Sequence, residues 1–136
     1  MKLNAHLKLA HQWDVTLSKL DLETDYLAVL EFSMMMGTSL LNAVFHKRGI
    51  QDEAFDQNHT NRPVLSDEVE ARITPDVREM MVDMAYIEGM RNLHCRAIGD
   101  DRSAPRVLPD WDPMVAEKCL TNIRKIQAFT EKVIAE

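Results

Sequence analysis

The sequence predicts an all-α fold, an up-down four-helix bundle formed as one domain over residues 1–136. Three observations predict it. Four segments repeat apolar residues every three or four positions, two of them begin with a proline-type start, and no run shows the period-two alternation of a half-buried strand. The first helix is expected over residues 3–20, where Leu3, Leu7, Ala10, Trp13, Leu17 and Leu20 make one stripe. The second, over residues 25–48, contains YLAVLEFSMMMGTSLLNAVF, in which Glu31 is the only formal charge. A helix apolar on nearly every side must be covered on nearly every side, so this segment belongs at the centre. Thr24 is expected to cap its start, Lys47 and Arg48 suit the negative end of its dipole, and Gly49 suits a left-handed stop.

The third helix is expected over residues 75–96, because Thr74-Pro75-Asp76 supplies a cap, a proline in the first turn and an acid on the dipole. Its apolar face is Val77, Met80, Met81, Met84, Ile87 and Met90. The fourth opens at Asp112-Pro113 by the same logic and runs over residues 113–135. About four residues join the first two helices, which forces an antiparallel hairpin. A long polar connection over residues 49–73, with a short helix near 66–72, separates the second helix from the third. Connections of that length usually carry function. Residues 99–111, GDDRSAPRVLPDW, make a second irregular segment.

Length alone would let the central segment cross a bilayer, since about 20 apolar residues suffice. Glu31, Ser33, Thr38 and Asn42 lie inside it, however, and a carboxylate at that depth is costly. A buried helix and no membrane partner are therefore expected. The start, MKLNAHLKLAHQWD, has no apolar leader run, so a cytoplasmic location is expected, with Cys95 and Cys119 reduced. A net charge of −6 argues against broad, sequence-independent nucleic-acid binding, which needs a basic face. Nine methionines include the consecutive Met34, Met35 and Met36. These three fan across about 200° of a helix, so part of that surface is expected to meet a second copy of the chain.

Several polar groups are candidates for function. Glu31, Thr38, Asn42 and His46 fall near one stripe of the second helix, either its thin solvent-facing edge or a polar line along an internal groove or two-fold interface. Bundle topology sets Glu31 level with Arg91 and His94, where an acid–arginine pair would neutralise the carboxylate. The long connection offers Asp56, His59, Asn61 and Arg62. Glu31 and these four are the expected ligand-binding residues. No metal is expected: the paired Glu-x-x-His pattern of di-iron bundles is absent, His6 and His11 face different directions, and Asp56 with His59 lacks further ligands at zinc spacing. No other cofactor is expected either.

The layout resembles the HEPN family of small helical bundles. A long second helix ends at Ala43-Val44-Phe45-His46-Lys47-Arg48-Gly49-Ile50, an intervening segment follows, and the third helix ends in Arg91-Asn92-Leu93-His94, a shorter spacing than the family's Arg-polar…His motif. The resemblance implies one of two functions. One is a non-enzymatic, dimeric module that binds a partner protein or a small anionic ligand. The other is a divergent metal-independent RNase, toxin-like, with His94 as general acid/base and Arg91 on the phosphate. The non-enzymatic reading is preferred, and under it RNA is not a partner. Sedimentation at micromolar concentration is expected to give a homodimer of the 15.6 kDa chain; a monomer would count decisively against it.

Overall fold

The computed structural model describes residues 1–58 and 65–136. It contains five helices: α1 (Leu3–Leu17), α2 (Tyr26–Lys47), α3 (Asp67–Glu70), α4 (Pro75–Arg96) and α5 (Pro113–Ile134). The described residues include no strand, so the protein is all-α.

The ends follow local chemistry. α1 stops earlier than its stripe suggests because the Leu20 N–H folds back onto the Leu17 carbonyl at 3.2 Å. Asp21 then closes the turn, its Oδ1 accepting from the N–H groups of Glu23 and Thr24 at 2.9 Å each. With its N–H held there, Thr24 does not cap α2; the cap is Asp25. α4 opens at Thr74 and Pro75 as the sequence predicts. At α5 the Asp112 side chain accepts the Met114 N–H at 3.0 Å, satisfying one of the orphan donors of a helix start. Gly49, at φ 64°, terminates α2 in the left-handed conformation that glycine adopts without strain.

α2 is the centre of the molecule, packed against α1, α4 and α5. Of its most apolar 18-residue window 72% is buried by the chain itself. Met34 and Met36 are both fully covered within the chain, as are Leu30, Leu41 and Phe45, while Met35 between them is half-buried. α4 adds Met80, Met84 and Ile87 to the same core, and α5 adds Cys119, Ile123 and Ile126. Both cysteines are free.

Ion pairs fix which ends meet. Arg48, just beyond α2, reaches Asp76 at the start of α4 (3.2 Å) and Glu136 just after α5 (2.7 Å). At the other end of α2, Glu31 pairs with Arg91 late in α4. Arg124 of α5 bonds Asp14 of α1, and Lys125 bonds Glu79 and Asp83 of α4 at 3.0 and 3.1 Å. α2 and α4 therefore run in opposite directions.

Gly37 sits where α4 and α5 both approach α2 closely. A Cβ there would meet the Met84 thioether, with Met84 Cε at 2.9 Å and Ile123 Cδ1 at 3.2 Å. The methionine end can give way to one methyl group but not to a branched side chain in a core without slack. Gly37→Ala is expected to stay within about 1 kcal/mol of wild type, since helix propensity returns about 1 kcal/mol. Gly37→Val should cost about 2–3 kcal/mol from overpacking. Urea unfolding measures both, and a valine variant as stable as wild type would refute this packing.

Candidate functional site

The polar line on α2 is not a solvent-facing edge. Thr38 and Asn42 are buried, and each turns a side-chain group toward the backbone of its own helix. Thr38 Oγ1 donates to the Met34 carbonyl at 2.9 Å, and Asn42 Nδ2 donates to the Thr38 carbonyl at 3.1 Å. Asn42 also clamps the following connection. Its Nδ2 donates to the Gln57 carbonyl at 3.1 Å, and its Oδ1 accepts from the Gln57 N–H at 2.7 Å. An amide side chain that satisfies both backbone groups of another residue replaces the ladder an irregular segment lacks. Asn42 and, one turn on, His46 are thus the seam on which residues 51–58 dock.

That docking brings Asp56 to the His46 end of α2. Asp56 Oδ1 lies 2.9 Å from His6 Nε2 and 3.0 Å from His46 Nε2. Its other oxygen accepts from the Met1 ammonium at 2.8 Å. The start of α1 is tied to the same segment, with the Leu3 N–H on Glu53 Oε1 at 2.9 Å. The two imidazoles lie side by side, 5.3 Å between ring centroids. Their side chains are 4% and 2% exposed, whereas Asp56 keeps 31%. Burial raises the Asp56 pKa, but hydrogen bonds from the Met1 ammonium, His6 and His46 outweigh it and hold the carboxylate at about 2. Burial lowers the pKa of His6, with Asp56 opposing.

Beside the cluster lies an open groove of about 570 Å³, bounded by Asp52, Phe55 and Asp56 on one side and by Ser66, Glu68 and Arg72 on the other. Ser66 caps α3 by accepting the Val69 N–H at 3.2 Å, which fixes that wall. Arg72 is held by Glu68 at 2.5 Å. Among the described residues, His6, His46 and Asp56 form a set that could hold a metal ion, one ligand atom from each lying within 4.8 Å of the others.

Sequence reasoning singled out Asp56 but missed its partners. His6 lies 50 residues away and His46 lies 10 residues away, and no short motif spans those separations. The available signal was topological: in an antiparallel hairpin the start of α1 meets the later half of α2. His59, Asn61 and Arg62 lie outside the described residues.

At the opposite end of α2 the expected acid–arginine contact forms. Arg91 Nε donates to Glu31 Oε2 at 3.1 Å and Arg91 Nη1 to Asn92 Oδ1 at 2.9 Å. Arg96 Nη1 approaches the other Glu31 oxygen at 3.3 Å. Arg91 is 2% exposed, and its guanidinium faces protein rather than a cleft. His94 is buried too, set edge-on to the Tyr26 ring at 5.9 Å, with no hydrogen bond to its Nδ1. Burial, seconded by Glu31, pushes the neighbouring Cys95 thiol up to about 11. Burial takes Cys119 to about 12, so neither sulfur is an activated nucleophile.

Comparison with family models, with curated proteins and with solved structures finds no match for this chain.

Removing Arg91 would strand Glu31. For a fully buried pair that costs about 3–5 kcal/mol. Glu31 retains 30% exposure and has Arg96 as a second partner, so Arg91→Ala is expected to cost less, about 2–4 kcal/mol. Thermal unfolding should register it as a clear loss of Tm. An unchanged Tm would mean that the pair is not structural.

Proposed function

We propose that the protein is a non-enzymatic binding module, an up-down four-helix bundle that takes a small anionic ligand at the His6–His46–Asp56 end. The single observation that carries this reading is the contrast between the two ends of α2. At the Glu31 end the reactive types are spent on one another: Arg91 is buried against Glu31 and Asn92. At the His46 end two buried imidazoles and a partly exposed carboxylate stand beside a groove large enough for a small molecule. The opposed directions of α2 and α4 and the short first turn support the up-down arrangement. The HEPN-like reading is retained in its binding form rather than its nuclease form.

A second reading has its own support. Val107, Leu108, Trp111 and Met114 are all more than half exposed, a concentration of large apolar side chains before and at the start of α5. Such a patch is a natural docking surface for a protein partner or for the second copy in a homodimer.

Two measurements test the principal reading. Purified protein is expected to leave RNA uncut, and turnover that Arg91→Ala abolishes without unfolding the chain would restore the nuclease alternative. Titration with inorganic phosphate, followed by amide NMR in zinc-free and zinc-supplemented buffer, is expected to perturb residues 51–57 and 66–72. Perturbation confined to the other groove, of about 500 Å³ around Arg102 and Arg106, would overturn the assignment of the ligand to this end. So would no response in either buffer.

A further inference from the structure

The groove poses an electrostatic problem for an anion. Asp52, Asp56 and Glu68 line it, while its lining arginine, Arg72, is already engaged by Glu68. A small anion therefore needs a countercharge that the groove walls do not supply. We propose that a divalent first-row transition-metal ion, with zinc as the type case, binds His6 Nε2, His46 Nε2 and Asp56 Oδ1 and provides it. The inference rests on the reading that this end is the ligand site.

The donor separations fit. Metal–ligand bonds of about 2.0–2.1 Å set neighbouring donors about 2.9 Å apart at a right angle and about 3.3 Å apart at a tetrahedral one. The observed nitrogen-to-oxygen separations are 2.9 and 3.0 Å, which match the right angle, so a tetrahedral zinc ion would have to spread the donors by about 0.3 Å. Hydrogen bonds span similar distances, so the decisive evidence is what lies behind the rings. His46 Nδ1 is 3.0 Å from the Gln51 carbonyl oxygen, a group that only accepts, so Nδ1 carries the hydrogen. In the neutral ring the Nε2 lone pair then points at a carboxylate oxygen 3.0 Å away. A positive centre must lie between them: a second proton on Nε2, which makes the hydrogen bond to Asp56, or a metal ion in that proton's place. An imidazole whose Nδ1–H is held by a backbone carbonyl, with Nε2 aimed at a second donor, is also the arrangement that orients histidine toward a metal.

The His6 ring shows a complementary shortage. It is 3% exposed, and its Nδ1 makes no hydrogen bond, so Nε2 is its only engaged ring atom. Asp56 divides its labour: Oδ1 faces both rings while Oδ2 holds the Met1 ammonium at 2.8 Å. Two imidazoles and one carboxylate suit zinc, nickel, copper or iron better than calcium or magnesium, which prefer all-oxygen sites. Three protein ligands leave a coordination position open, and Asp56 also lines the groove, so an anionic ligand there is near enough to complete the shell.

The test uses tag-free, chelator-treated full-length protein and zinc chloride as the probe. Isothermal titration calorimetry is expected to show one saturable ion per chain, and zinc should raise the Tm, as any ligand of the folded state does. His6→Ala and His46→Ala should each weaken binding by more than about tenfold. His11→Ala, an exposed histidine of α1 outside the cluster, should leave it unchanged. Absence of saturable binding, or binding indifferent to both cluster variants, would overturn the proposal. Where a variant unfolds by circular dichroism, histidine NMR of the wild type decides. Zinc should shift the His6 and His46 rings together and spare His11 and His94; any other pattern counts against the site. The phosphate titration keeps the two readings distinct. Phosphate at the groove without zinc uptake would sink the metal site alone, whereas zinc uptake without any phosphate response would sink the anion reading and leave the metal site standing.

Discussion

The structure of the candidate site depends on one buried side chain, Asn42. It lies in the middle of the most apolar helix, where a polar group must be satisfied or it costs free energy comparable to a lost hydrogen bond. It is satisfied by accepting the Gln57 N–H and donating to the Gln57 carbonyl. This double contact draws an otherwise irregular segment onto α2 and stops it one residue after Asp56. From there Asp56 can reach both His46 of the same helix and His6 of its neighbour. Without the Asn42 clamp, the carboxylate and the imidazoles would have no shared position.

A second consequence concerns the two ends of α2. The helix is covered by three partners, and the carboxylate near its start and the imidazole near its end are compensated where they stand. Glu31 is compensated by arginines from α4, charge against charge. His46 is compensated by a carboxylate from a connection and by a backbone carbonyl, neither of which fills the space beyond Asp56. The two ends therefore differ in what their polar groups pack against, arginines of a helix at one and a connection beside a groove at the other. The difference follows from what each end packs against: α4 is a regular helix with long basic side chains at the right height, whereas residues 51–58 form a loop that leaves a groove behind it.

The methionine surface shows how local sequence can overstate exposure. Three consecutive methionines suggest more apolar surface than a single chain would cover. Gly37 removes a side chain on α2 where Met84 of α4 and Ile123 of α5 close over it. Met34 and Met36 are buried within the chain while Met35 is half-buried, and the most exposed large apolar residues include Phe55, Val82, Val107, Leu108 and Met114.

By itself the sequence determined the helical class, the core face of each helix and nearly every helix boundary. Those are local properties, set by apolar periodicity, by Pro75 and Pro113 at helix starts, and by Gly49 at a stop. It also determined the Glu31–Arg91 contact, because antiparallel packing of two long helices fixes which residues come level. It did not determine that Thr38 is buried and that Asn42 faces a docked segment instead of water, since a polar stripe reads the same in either setting. Only tertiary structure decided that His6, His46 and Asp56 meet. The path of residues 49–58 is set by hydrogen bonds between groups distant in sequence, and no period or spacing encodes them.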